Sequence, residues 1–162
     1  EIIKLAKIIN AKIEVNLFYT NPKRKQNIVK LLKKTGAKEI LGTNSKSAKR
    51  ISNLDSARRI VDKDGIFVAD VVLVPLEDGD RTIALKKMRK KVITFDLNPL
   101  SRTAQTADVT IVDNVMRGMK ELISQTKLQL KNNKPSTFDN KKNLNSAITE
   151  INKNLRRKLK NA

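Results

Sequence analysis

Three apolar runs rich in β-branched residues constrain the fold of this chain more than any other feature of its sequence. They lie at residues 69–74, 91–95 and 107–112. Near-continuous apolar runs of this length are typical of strands that are buried on both faces of a sheet. A helical pattern at residues 80–89 separates the first two runs, so we expect parallel strands joined by a right-handed crossover.

The rest of the chain also alternates between strand and helix patterns. Further strands are predicted at residues 12–17 and 38–42, and helices at 1–9, 22–36, 114–130 and 143–159. Residues 43–52 and 96–106 are predicted to be loops, and residues 56–61 to form a helical turn. Alternating strands and helices predict an α/β fold in which a mostly parallel sheet carries helices on both faces.

Length and charge suggest how the chain is organised. It has 162 residues, with 35 Lys and Arg against 16 Asp and Glu, so the formal net charge is +19. We expect one domain over residues 1–130 and a Lys/Asn-rich, partly helical tail over residues 131–162. The basic excess is compatible with a nucleic-acid-binding module. A solvated lysine-rich surface is favoured instead, because only four Phe and one Tyr are available to stack on bases.

Two missing residue types exclude several functional classes. The chain contains no Cys and no His. Thiol nucleophiles, imidazole bases, disulfide frameworks and zinc sites built on these side chains are therefore excluded. No apolar run approaches the roughly 20 residues that cross a bilayer, and no secretory signal pattern is present, so we expect a cytoplasmic protein with no membrane partner.

Polar loops follow each of the three apolar runs, at residues 75–82, 96–103 and 113–115. In an open α/β sheet, ligands bind beyond the carboxyl ends of the strands, where these loops would lie side by side. Together the loops offer carboxylates for Mg²⁺, arginines for phosphates, and Thr and Asn side chains for a nucleotide. Each loop alone is also explained as a turn or a helix cap. Their convergence at one sheet edge favours a ligand site.

These loops resemble the archaeal phosphopantothenate synthetase family, also called 4-phosphopantoate–beta-alanine ligase. The resemblance is carried by residues 11–19, 69–82, 96–104 and 107–114, and it spans about residues 1–130. It implies a Rossmann-like three-layer sandwich in a cytoplasmic homodimer. The implied activity is ATP-dependent joining of 4-phosphopantoate to beta-alanine through an acyl-adenylate. The products are 4′-phosphopantothenate, AMP and diphosphate, on the route to coenzyme A.

The resemblance also implies site residues. ATP is expected at Asp96, Leu97, Asn98, Arg102, Thr103, Asn114 and Val115. Catalytic roles are expected for Arg102, Asp78, Asp80 and Arg81, and substrate contacts for Asn16 and Glu77. Asp78 and Asp80 are the predicted Mg²⁺ ligands, and Arg102 is predicted to neutralise phosphate charge during adenylation. From its position alone, Asn16 either reaches a ligand or finishes a turn.

One departure from the family bears on activity. Family members carry a further N-terminal segment whose basic side chains contact ATP, and residues 1–162 contain no counterpart of it. The resemblance therefore predicts an N-terminally truncated member, whose own activity is expected to be weak or absent. Two alternatives stay open: another nucleotide-dependent ligase or transferase on the same fold, and the basic nucleic-acid-binding module.

Overall fold

The structure, a computed structural model, describes residues 1–19, 21–132 and 137–160. Two compact units are present, one formed by residues 1–70 with 119–132 and the other by residues 71–118 with 133–162. The helices are α1 (Ile2–Ile9), α2 (Pro22–Lys34), α3 (Gly79–Lys87), α4 (Arg102–Thr106), α5 (Val115–Asn132) and α6 (Asn140–Lys160). The strands are β1 (Ala48–Arg50), β2 (Ile60–Asp62), β3 (Val71–Val74), β4 (Lys91–Phe95) and β5 (Val109–Ile111).

The second unit is built on a parallel sheet with the strand order β3-β4-β5. In the register of the sheet Val74 pairs with Thr94, and Thr94 pairs with Thr110. The three strands are those predicted from the apolar runs, although two of them are shorter at their ends. Helix α3 connects β3 to β4, and α4 connects β4 to β5.

Helices contact both faces of this sheet. Residues paired across neighbouring strands share a face, and on one face they are almost fully buried: Val72, Val74, Val92, Thr94 and Thr110. Helices α3 and α4 pack on that face, where the Thr110 hydroxyl donates to the carbonyl of Ala104 over 2.8 Å. On the other face, Phe95 and Ile111 contact the start of α5 at Gly118. The predicted α/β class, with a parallel sheet between helices, is confirmed.

The prediction of a loop over residues 96–106 is partly wrong, because α4 occupies its second half. Ser101 caps this helix, and its hydroxyl oxygen accepts a hydrogen bond from the Ala104 amide over 3.0 Å. A helix of five residues completes little more than one turn, so it leaves no periodic pattern in the sequence.

Helix α6 closes the outer edge of β5 with asparagine side chains. The Asn140 amide oxygen accepts from the Thr110 amide over 2.9 Å, and the Asn143 side chain donates to the Thr110 carbonyl over 2.9 Å. The Asn140 side chain also donates to the carbonyls of Ala104 and Ala107. The helix thus begins three residues before the predicted start at 143, and it packs on α4 and β5. The division into domains at residue 130 stays a prediction.

The first unit contains less regular β structure than its sequence pattern suggests. The segments predicted as strands at 12–17 and 38–42 form a single parallel bridge between Glu14 and Leu41. The loop predicted over 43–52 and the helical turn predicted over 56–61 are wrong in part, because β1 and β2 lie there as an antiparallel pair. All three residues of β1 are exposed, so no alternation of apolar and polar side chains marks the strand.

Two carboxylates, one half-buried and one buried, organise the first unit. The Glu14 carboxylate accepts hydrogen bonds from the amides of Asp62 and Ile66 over 3.0 and 2.8 Å, and desolvation raises its pKa. Burial alone would also raise the pKa of Asp62. Hydrogen bonds from the Ser47 hydroxyl and from backbone amides, including that of Gly42, hold that pKa below its usual value. These contacts tie four separate segments together.

Within the described ranges, no helix is both long and apolar enough for a membrane crossing.

Candidate functional site

Two of the three predicted loops are joined through the side chain of Thr103. This side chain is fully buried at the start of α4. Its hydroxyl oxygen accepts from the Asp78 amide over 3.0 Å, and the hydroxyl donates to the Glu77 carboxylate over 3.0 Å. The loop after β3 and the loop after β4 are therefore held together at the carboxyl edge of the sheet, as the topology predicted.

Asp78 and Arg81 form a mostly buried pair that closes the first turn of α3. One carboxylate oxygen of Asp78 accepts from the Arg81 amide over 3.2 Å, and the other accepts from the Arg81 Nε over 2.6 Å. Only 3% of the Asp78 side chain and 17% of the Arg81 side chain are exposed. This geometry caps the helix, because Asp78 satisfies an amide that has no partner within the helix. The predicted catalytic roles of both residues stay predictions.

Asp80 and Arg102 form a second, exposed ion pair next to the first. The Arg102 Nη1 lies 3.0 Å from a carboxylate oxygen of Asp80. The Arg102 side chain is 67% exposed and that of Asp80 is 60% exposed. Both charges are accessible to a ligand arriving at this edge of the sheet, which distinguishes them from Asp78 and Arg81.

Asp96 shapes the loop after β4. Its carboxylate accepts from the Asn98 amide over 2.9 Å and from the Ser101 hydroxyl. Asp96 is itself buried, whereas Leu97 is 67% exposed and Asn98 is also exposed. The Asn98 side chain in turn accepts from the Leu100 amide over 2.9 Å. The buried carboxylate thus fixes a turn that presents the next two residues to solvent.

The third loop, after β5, presents a different charge pair. Asn114 begins α5, and its side chain accepts from the Met116 amide over 2.9 Å, while Val115 is half-buried. Arg117 donates to the Asp113 carboxylate, and this contact lowers the pKa of Asp113 and raises that of Arg117. A backbone hydrogen bond of 3.1 Å from the Asp96 amide to the Ile111 carbonyl places the end of β5 beside the Asp96 loop.

The sequence prediction missed the two polar residues that support these loops, Ser101 and Arg117. Ser101 both caps α4 and holds Asp96. The general preference for serine at the position just before a helix was its only signal in the sequence. Arg117 lies four residues after Asp113, a spacing that brings two charges together on a helix start.

Asn16, the predicted substrate residue outside these loops, lies in the first unit. Its side-chain amide donates to the Ile60 carbonyl over 2.6 Å. Its amide oxygen is buried and has no hydrogen-bond partner among the residues that the structure describes. This contact joins residues 44 positions apart, so it is not a contact within a local turn, and the substrate role stays a prediction.

The residues present fit Mg²⁺ only in part. Within the described part of the chain, no cluster of three or more acidic, His or Cys side chains could hold a metal ion. Mg²⁺ is commonly held by one or two carboxylates together with substrate phosphates. Both oxygens of Asp78 already accept hydrogen bonds, so this side chain does not fit as a ligand in the observed arrangement. Asp80 is exposed and fits better.

Comparison with known proteins identifies the family. A family model described as phosphopantothenate/pantothenate synthetase matches residues 1–154. The chain belongs to the phosphopantothenate/pantothenate synthetase family. The family membership that the three loops predicted is therefore confirmed, and the match extends into α6.

Several members of this synthetase family are close in sequence. A protein from Methanosarcina mazei is 44% identical over an aligned length of 162, and the alignment covers 96% of this chain and 63% of that relative. One from Thermococcus kodakarensis is 54% identical over 124 residues, covering 76% and 47%. One from Thermococcus onnurineus is 48% identical over 158 residues, covering 93% and 60%. All three are named 4-phosphopantoate–beta-alanine ligase, and this chain spans about half to two thirds of their length.

Proposed function

We propose that this chain carries the nucleotide-binding part of a ligase that joins 4-phosphopantoate to beta-alanine at the expense of ATP. The observation that carries the proposal is the exposed Arg102–Asp80 pair on two interlocked loops, in a chain that belongs to the synthetase family. Preorganised positive charge at the carboxyl edge of a parallel sheet suits the binding of phosphates.

The geometry suggests which parts of the site would bind ATP. The guanidinium of Arg102 is exposed and would neutralise phosphate oxygens. The turn fixed by Asp96 offers Leu97 and Asn98 to the adenosine portion. The Thr103 hydroxyl is buried and donates a hydrogen bond to Glu77, so we expect Thr103 to support the site by joining the loops. Asn114 and Val115 complete the proposed ATP contacts at the third loop.

The proposed reaction has two steps. A carboxylate oxygen of 4-phosphopantoate attacks the α-phosphorus of ATP, the bond to the bridging oxygen breaks, and diphosphate leaves. The deprotonated amine of beta-alanine then attacks the acyl carbon of the adenylate, so a C–N bond forms, the C–O bond to AMP breaks, and the amine loses a proton. Mg²⁺, when bound with ATP, adds positive charge at the phosphates.

The residues of the chain would act mainly through charge. Both steps develop negative charge on phosphate oxygens, and Arg102 lies where it would stabilise that charge. Such chemistry does not depend on an imidazole or thiol, and the chain has neither. Arg81 is largely committed to Asp78, so we expect its contribution to be indirect, through the position of the β3–α3 loop.

The partners and the compartment are also proposals. We propose a homodimer in the cytoplasm, with 4-phosphopantoate and beta-alanine as substrates and ATP with Mg²⁺ as co-substrate. Light scattering of the purified chain tests the dimer, and a monomeric mass at micromolar concentration would contradict it.

A nucleic-acid-binding module is the second candidate, and the net charge of +19 is the observation that favours it. Lys49 and Arg50 on β1 are exposed and add to a basic surface in the first unit. Binding to phosphate backbones weakens steeply with salt, whereas turnover of saturating small substrates changes little. Salt titration of RNA binding and of AMP formation therefore separates the two functions.

An assay for AMP release tests the ligase proposal. The chain is incubated with ATP, Mg²⁺, 4-phosphopantoate and beta-alanine, and the Methanosarcina mazei relative is assayed in parallel as a reference. We expect AMP only when both substrates are present, and less from this chain than from the longer relative. Arg102→Ala should lower AMP formation or raise the ATP requirement by about tenfold or more, because a charge-assisted phosphate contact is lost. Arg50→Ala, an exposed arginine in the other unit, is the matched control.

Three results would overturn parts of the proposal. Substrate-independent AMP release would contradict the assigned substrates. Equal activity of Arg102→Ala and the unmodified chain would remove Arg102 from the site. If Arg102→Ala is inactive because it is unfolded at the assay temperature, the residue has a structural role.

A further inference from the structure

Gly79, the first residue of α3, is a glycine that the backbone conformation does not require. The glycines with a positive φ in the described ranges are Gly36 and Gly42, and Gly79 is not among them. Other residues adopt the backbone conformation of Gly79 readily, and alanine favours helices more than glycine does. The reason for a glycine must therefore lie in what surrounds it.

The Arg102 side chain lies directly against Gly79. A β-carbon added at Gly79 would be 3.2 Å from both Cβ and Nε of Arg102, and 3.4 Å from its Cζ. The first two distances are shorter than ordinary van der Waals contact. The missing side chain of Gly79 thus leaves the space in which the guanidinium crosses the start of α3.

Asp80, the next residue, holds the end of the same guanidinium. The contact of 3.0 Å uses Nη1 of Arg102, and both side chains are mostly exposed. Exposed ion pairs of this kind add little to stability, so the contact favours one direction of the guanidinium without fixing it. A guanidinium has five N–H donors. Asp80 is the one ion-pair partner recorded for Arg102 in the described part of the chain, so donors remain for an arriving anion.

We propose that Gly79 and Asp80 are positioning residues that hold the Arg102 guanidinium ready for the phosphates of ATP. This inference rests on the proposed function, in which Arg102 binds ATP. The backbone of Arg102 is already fixed, because the neighbouring Thr103 is joined to the β3–α3 loop. Gly79 and Asp80 then restrict the rest of the side chain, which reduces the conformational entropy lost when a phosphate binds.

The first test needs no nucleotide. In the ¹⁵N-labelled chain, the Nε–Hε signal of Arg102 is assigned by its disappearance in Arg102→Lys. We expect a shifted and more rapidly exchanging signal in Gly79→Ala, because the added β-carbon displaces Nε. An unchanged Arg102 signal in Gly79→Ala would overturn the proposal whether or not the chain binds ATP.

The second test measures MgATP affinity by calorimetry. Gly79→Ala should weaken binding about tenfold, the scale of one lost charge-assisted contact. Its thermal midpoint should change little, because the helix preference of alanine offsets the crowding against the fixed Cβ of Arg102, while the end of that side chain can move aside. In an Arg102→Ala background, Gly79→Ala should have no further effect on affinity. Weakened binding in that background as well would contradict a role through Arg102.

Asp80 is tested by comparing two substitutions that remove the same charge. Asp80→Asn keeps a side-chain oxygen within reach of Nη1, whereas Asp80→Ala does not. We expect the alanine variant to bind ATP more weakly than the asparagine variant in the absence of Mg²⁺, where Asp80 cannot act as a metal ligand, and equal affinities would overturn the role of Asp80. If the unmodified chain binds no ATP, the nucleotide part of the proposed function is wrong, and the Arg102 signal still decides the positioning of the side chain.

Discussion

Two fully buried threonines in the second unit should respond in opposite ways to the same substitution. Thr103 and Thr82 are both 0% exposed. The Thr103 hydroxyl has two partners, the Asp78 amide and the Glu77 carboxylate. The Thr82 hydroxyl is buried with no hydrogen-bond partner in the described residues. Valine has nearly the shape of threonine, so Thr→Val at each site isolates the hydroxyl.

The size of each effect follows from what the hydroxyl leaves behind. Thr103→Val removes the hydroxyl that accepts a hydrogen bond from the buried Asp78 amide. Removing the partner of a buried donor lowers the free energy of unfolding by about 1–3 kcal/mol. Glu77 is exposed, so water replaces its lost contact. We expect Thr103→Val to lower the free energy of unfolding by about 2 kcal/mol. Thr82→Val removes an unpaired polar group from the interior, so stability should stay the same or rise by about 1 kcal/mol.

Urea unfolding followed by circular dichroism measures both variants. Thr103→Ser is the control, because it keeps the hydroxyl and loses one buried methyl group, worth about 0.8 kcal/mol. Equal losses in Thr103→Val and Thr82→Val would refute the reasoning, since burial alone would then explain them. A loss in Thr103→Ser as large as that in Thr103→Val would show that packing matters and the hydrogen bonds do not.

Two further predictions concern the sheet and its helices. Burial alone would raise the pKa of Asp108, but hydrogen bonds from Lys86 and from the Val92 amide lower it below its ordinary value of 3.8. The resulting stabilisation is complete above pH 3.8 and disappears as the pH falls through the lower folded-state pKa of Asp108. Asp108→Asn should therefore lower the free energy of unfolding by about 1–3 kcal/mol at pH 7 and by progressively less in acid. An equal loss at pH 7 and in acid, measured by urea unfolding, would contradict this. Gly118→Ala places a β-carbon 2.6 Å from the Phe95 ring. The crowding, about 1–3 kcal/mol, should exceed the helix gain of about 1 kcal/mol, and a higher thermal midpoint in the variant would contradict that expectation.

The central strands could be predicted because their burial requires a pattern that survives in the sequence. Strand β3 consists of apolar residues, and β4 contains Val92, Ile93 and Phe95 with a fully buried Thr94, since both faces of the sheet meet helices. Strand β1 escaped prediction because all three of its residues are exposed, and its pairing with β2 depends on backbone contacts. The pattern of apolar residues therefore predicts buried strands well, and it does not predict strands held by backbone pairing alone.

The candidate site was predictable in location and less so in detail. Parallel topology alone brings the loops after β3 and β4 to one edge, and Thr103 joins them there. Which carboxylate is buried depends on side-chain partners that sequence order does not reveal. Asp78 and Asp80 are two positions apart, yet the first caps α3 in the interior and the second faces solvent with Arg102.

The asparagine contacts that close the edge of β5 also have a consequence for synthesis. Asn140 lies 30 positions after Thr110, and its side-chain oxygen accepts a hydrogen bond from the Thr110 amide. At about 5–20 residues per second, a ribosome needs roughly 1.5–6 s to add that stretch. Until then the backbone of β5 has an open side that other strands can pair with. The last helix therefore also limits how long the growing chain exposes an aggregation-prone edge.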